Sequence, residues 1–110
     1  MIIARRSLTL RQQGHDRPVE VTLAAPRFET GCWRCAYDIS WPDRPRQYFG
    51  HGADSMQAIV IAMQMICAEL YASEQFKAGE LFFETPGAGF SSPALPSMRD
   101  LLTAADLNAI

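Results

Sequence analysis

The chain has 110 residues, 48% of them hydrophobic and 20% charged, with a formal net charge of −2. Those values suit one domain around one core, and they exclude a collagen-like fibre, a low-complexity linker and a disordered tail. They leave little room for a separate cofactor domain, and the small negative charge gives no pull toward nucleic acid or an anionic membrane.

From the amino terminus, Ile2 to Leu10 alternate as a first strand, with Ile2, Ala4, Leu8 and Leu10 on one face and Arg6 interrupting it. The polar run Arg11 to Asp16 reads as a hairpin loop around Gly14. Pro18 to Ala25 alternate cleanly, Val19, Val21 and Leu23 inward, with Pro18 and Pro26 at the ends, where a missing N–H does least harm. A loop through Glu29-Thr30-Gly31 leads to an aromatic strand, Cys32 to Trp41. There Trp33, Cys35, Tyr37, Ile39 and Trp41 share the core face. After the turn Pro42-Asp43-Arg44-Pro45, Arg46 to His51 return as a fourth strand.

The period then changes. Met56, Ile59, Val60, Met63, Ile66, Cys67 and Leu70 recur at helical spacing, which predicts one long helix with that stripe on the core. Asp54 and Gln57 form its capping box, and Gly79 is its expected stop. Ile61 and Met65 lie off the stripe, so the helix is apolar on a second side and calls for a second cover. Glu80 to Thr85 reads as a short fifth strand, 86–97 as loop, and Ser97 with Asp100 as a capping box opening a short C-terminal helix. No domain boundary interrupts 1–110. The expected fold is α+β: an antiparallel meander of four to five strands packed against one long α-helix, with a short C-terminal helix.

Four features together resemble a family of small uncharacterised bacterial proteins: IARRSLTL at Ile3–Leu10, PVEVTLAAP at Pro18–Pro26, the Trp33–Pro42 run, and the helix from Asp54 to Glu74. The resemblance implies a stand-alone domain of unknown function and brings no activity, cofactor or catalytic residue with it.

Few constellations carry chemistry. Cys32 and Cys35 stand at C-x-x-C spacing, but an odd separation within a strand sends their side chains to opposite faces. Zinc would need two further ligands, and His15, His51 and Cys67 are scattered singletons. No metal, cofactor or catalytic residue is therefore assigned. The turn before the helix, with His51, Gly52, Asp54 and Ser55, is the candidate ligand site: glycines admit a ligand to the backbone, and a helix N-terminus attracts anions. A plain strand-to-helix turn explains the same residues. Aromatics and arginines interleave from Trp33 to Phe49, yet alternation puts Trp33, Tyr37 and Trp41 opposite Arg34, which argues for core rings and against nucleic acid.

No uninterrupted apolar run is long enough to cross a bilayer, and Met1 to Arg6 has the reverse order of a secretory signal. With three cysteines, this predicts a cytoplasmic protein with no membrane partner. Residues 1–50 hold eight arginines against five acids, and residues 51–110 two basic residues against seven, so the halves carry +3 and −5. The functional expectation is a non-enzymatic interaction or ligand-binding module, a homodimer joined at Ile61 and Met65, with room for another protein partner. The rival expectation is a small enzyme or anion pocket at the Gly50–Ser55 turn, drawing in Tyr48 and Cys67.

Overall fold

The computed structural model describes residues 1–84; the loop expected over 86–97 and the helix expected after Ser97 lie outside the described residues. In chain order come β1 (Ile2–Gln12), β2 (His15–Ala24), β3 (Arg27–Glu29), β4 (Cys32–Ile39), β5 (Arg46–Gly52), α1 (Ser55–Ala72), α2 (Glu74–Lys77) and β6 (Leu81–Phe82). An antiparallel sheet carries the long helix α1 across one face, against β4 and β5, so the α+β expectation holds.

Two tight hairpins build the sheet. β1 and β2 join through Gln13-Gly14 and β3 and β4 through Thr30-Gly31, all four residues at positive φ (52°, 76°, 51° and 84°). That backbone gives a two-residue loop whose twist matches the flanking strands. The first loop is thus shorter than expected, with the strands paired out to Gln12 and His15. β3, expected as loop, continues β2 beyond Pro26. Leu23 pairs with Tyr37 but Arg27 with Arg34, so the register slips one residue where proline removes a donor. β5 covers the other edge of β4 from Ile39 back to Trp33. On the far side, β1 flanks β2, and β6 pairs with β1 only at Thr9 and Leu10.

The core lies between the sheet's inner face and α1. Leu8, Leu10, Val19, Tyr37 and Ile39 are almost fully enclosed, each large apolar side chain contributing about 1.5–3 kcal/mol. β1 departs from expectation in its first half. Ala4 keeps the face of Leu8 and Leu10 but is exposed, and the register shifts between Ile2 and Ala4, so that exposed Ile2 pairs with Ala24 and leaves that face.

The face of α1 also needs correcting. Ala58, Ala62, Ile66, Cys67, Leu70 and Tyr71 are buried, while Met56 and Val60 are exposed. The reason is close packing. A Cβ on Gly50 would lie 2.6 Å from the Ala62 amide nitrogen, and one on Gly52 would lie 2.4 Å from that of Ala58. Two residues along a strand advance about 6.7 Å and four along a helix about 6 Å, so the two glycines interlock with the two alanines. Large side chains cannot occupy that seam and sit on its flanks.

The capping box forms as expected: Asp54 accepts from the Gln57 amide at 2.7 Å, and Gln57 Oε1 accepts from the Ala53 amide at 2.6 Å. The helix stops earlier than expected. Ser73 is extended, and its hydroxyl donates to Leu70 O and accepts from the Phe76 amide, closing α1 and opening α2. Gly79, at φ 75°, follows α2. As a helix, Ser55–Ala72 is long and apolar enough by length and composition to cross a membrane, a test that the core helix of a globular domain also passes.

Candidate functional site

At the Gly50–Ser55 turn, the structure does not gather the expected ligand residues round a shared space. Gly50 and Gly52 lie against α1. His51 points to the opposite face of the sheet, exposed, its ring edge-on to Phe49 at 4.9 Å. Asp54 directs its carboxylate to the helix amides, and Ser55 is the first helical residue. The glycines are accounted for by the helix that approaches them.

Cys35 is buried and Cys32 half-buried on the other face of β4, so the C-x-x-C sulfurs do not converge. The Cys35 thiol donates to Ala24 O at 3.2 Å, and burial raises its pKa. Among the described residues, no three His, Cys, Asp or Glu side chains converge as a metal site. On the outer face of the sheet, the Arg34 guanidinium lies over the Phe49 ring at 3.6 Å, occupying the ring surface that a nucleobase would use.

One concave feature on the helix side is a groove of about 170 Å³ lined by Ala4, Arg5, Arg6, Val21, Leu23, Met63, Ile66 and Leu70. It lies between the first half of β1 and one flank of α1. Arg6, the irregular residue in the strand pattern, sits at its edge with its guanidinium over Phe83 at 4.4 Å. Ile2 (46% exposed) and Ile3 (47%) continue β1 beyond Ala4, and Met56 (76%) and Val60 (47%) continue the helix surface beyond Met63. From Ile2 to Leu8, the outer edge of β1 has no strand partner among the described residues. The expected interface residues, Ile61 and Met65, are both half-buried on the other flank of α1, where Met65 packs against the core.

Residues 4–94 match the family described as Domain of unknown function (DUF6968). The chain belongs to that family. No curated protein and no solved structure matches it. The match spans every residue of the groove and all of α1 in this DUF6968 domain.

A second constellation in the DUF6968 domain had no signal in the one-dimensional pattern. The buried Tyr37 hydroxyl donates to Glu69 Oε2, and Arg46 Nε lies 3.0 Å from Glu69 Oε1. Burial first, and then the Glu69 carboxylate, push the Tyr37 phenol well above its ordinary pKa. Arg46 shares the helix-facing row of β5 with Gly50 and Gly52. Extending the glycine–alanine interlock four residues toward Arg46 brings it to the last turns of α1, where Glu69 stands. Only that pairing in space connects the residues.

Proposed function

We propose that the DUF6968 domain is a non-catalytic interaction module that self-associates along β1 and the adjoining groove. The observation that carries this reading is an apolar groove continuous with a strand edge that has no partner among the described residues, with Ile2, Ile3, Met56 and Val60 exposed around it. A free edge is a template for another strand, and exposed apolar surface beside it adds a hydrophobic drive.

The occupant is a second copy of the chain. Antiparallel pairing about a two-fold axis near Ala4 sets the Ile2–Ile3 end of one edge against the Arg5–Arg6 end of the other. No guanidinium then faces another, and the arginine stems cover the isoleucines. The +3 and −5 halves favour association of two copies over mutual repulsion. A reducing, cytoplasmic setting belongs to the same reading, supported by three free cysteines. No observation favours catalysis at the Gly50–Ser55 turn.

Sedimentation equilibrium of the full chain and of Ile3→Lys tests the reading. The full chain is expected to show a monomer–dimer equilibrium in the micromolar range. Ile3→Lys should weaken it by about tenfold or more with an unchanged far-UV spectrum, because Ile3 is exposed. A chain truncated after Glu84 is the control. Dimerisation only after truncation would assign the groove to residues 85–110 of the same chain and overturn the proposal, as would a monomer in every case.

A further inference from the structure

A second cleft, of about 560 Å³, lies between the β4–β5 turn and the C-terminal end of α1, lined by Trp41, Asp43, Arg44, Arg46, Glu69, Ala72, Ser73 and Gln75. We propose that this cleft binds a small planar ligand carrying a carboxylate or phosphate.

The argument begins with Arg46. Its Nε is paired with Glu69, and its guanidinium carbon lies 5.2 Å from the centre of the Tyr48 ring. Glu69 is itself held by the hydroxyl of Tyr37, a side chain only 1% exposed. A phenylalanine would fill the same apolar space, so the contribution of that hydroxyl is to fix the carboxylate and, through it, the arginine. A long side chain that is ordered before a ligand arrives loses less entropy on binding.

Arg44, on the turn, makes no ion pair or hydrogen bond with a described residue. Its charge is available, opposed on the same turn only by Asp43. The half-buried Trp41 ring offers an aromatic surface at the same opening. A held guanidinium, an unpaired guanidinium and an indole make a set suited to a flat anion: the arginines take the anionic oxygens and the ring takes the plane. The space admits a ligand up to the size of a nucleoside monophosphate. This inference stands apart from self-association, since the cleft and the β1 groove share no lining residue.

The test is a ¹H–¹⁵N NMR titration of the full chain with adenosine 5′-monophosphate and with indole-3-acetate, and with adenosine and inorganic phosphate as separate halves of the first probe. Expected are saturable shifts of the Trp41 indole N–H and the Arg46 Nε–H with one or both anionic aromatics, which also identifies the preferred anion. Adenosine or phosphate alone should bind roughly tenfold more weakly. Arg46→Gln, at an exposed side chain, should weaken binding by roughly tenfold with the rest of the spectrum in place. Tyr37→Phe should weaken it less and broaden the Arg46 Nε–H signal, as expected of a positioning residue. No saturable shift up to about 10 mM of either anionic probe, or equal binding by Arg46→Gln, would overturn the proposal.

Discussion

Gly50 and Gly52 are required by their neighbour rather than by their own backbone angles, because neither has a positive φ and each lies under the backbone of α1. Gly50→Ala and Gly52→Ala should each force the helix outward and cost about 1–3 kcal/mol or more in urea denaturation. Gly14→Ala is the comparison: its Cβ would meet nothing, so only the strain of φ 76° remains, about 1–2 kcal/mol. A loss well below about 1 kcal/mol at Gly50 or Gly52 would contradict the interlock. His51→Ala removes an exposed ring and should change stability by no more than about 0.5 kcal/mol.

Tyr37 gives the fold a dependence on high pH, and the sign follows from its raised folded pKa. Below the ordinary phenol value of about 10, folded and unfolded chains both hold the proton, and the contribution is fully present. Above it the unfolded chain loses the proton while the folded chain keeps it, so stability falls as pH rises. One such group contributes a slope of up to about 1.4 kcal/mol per pH unit. Denaturation curves collected from about pH 9 to 11 should converge for the parent chain and Tyr37→Phe as the parent loses its advantage; parallel curves would contradict this account of Tyr37.

Among the secondary elements, those with one large apolar residue at every second position were legible in the sequence. β2 shows Val19, Val21 and Leu23 buried and Glu20 and Thr22 half-buried, and β4 shows Cys35, Tyr37 and Ile39 inward as alternation requires. The Asp54–Gln57 capping box was equally legible, since three local residues determine it. The helix face was not. Binary patterning ranks Met56 and Val60 above alanine, but a seam against glycines selects for small volume, so Ala58 and Ala62 occupy it. The same glycines suggested an approaching ligand, and the sequence alone does not distinguish a ligand's approach from a helix's. The groove and the Tyr37–Glu69–Arg46 network each join stretches far apart in the chain, and their pairing follows from tertiary packing.

The strand geometry of Cys32 and Cys35 carries its own prediction. Their side chains lie on opposite faces of β4, so mild oxidation should not join them. Thiol labelling of the folded chain should modify half-buried Cys32 first, with Cys35 and Cys67 following only on unfolding. A Cys32–Cys35 bridge in the mass spectrum of a chain that keeps its far-UV signal would show that the start of β4 opens more readily than its pairing with β3 and β5 suggests.

For the whole molecule, the sheet is closed unevenly. α1 seals the β4–β5 side through its small-residue seam, while the first half of β1 extends past the buried core with two exposed isoleucines and an edge that no described residue pairs. The proposed self-association would remove both features at once, giving the edge a strand and the groove apolar cover. Changes that disrupt it should lie on β1 and the Met63 flank. Met65→Glu, on the other flank and against the core, should lower stability instead.

The most direct measurement is amide hydrogen exchange of residues 2–8 as a function of protein concentration, with β5 as the internal reference. Self-association along β1 predicts that protection of those outward amides rises with concentration while that of β5 stays constant. Protection of residues 2–8 that is the same at low and high concentration would contradict it.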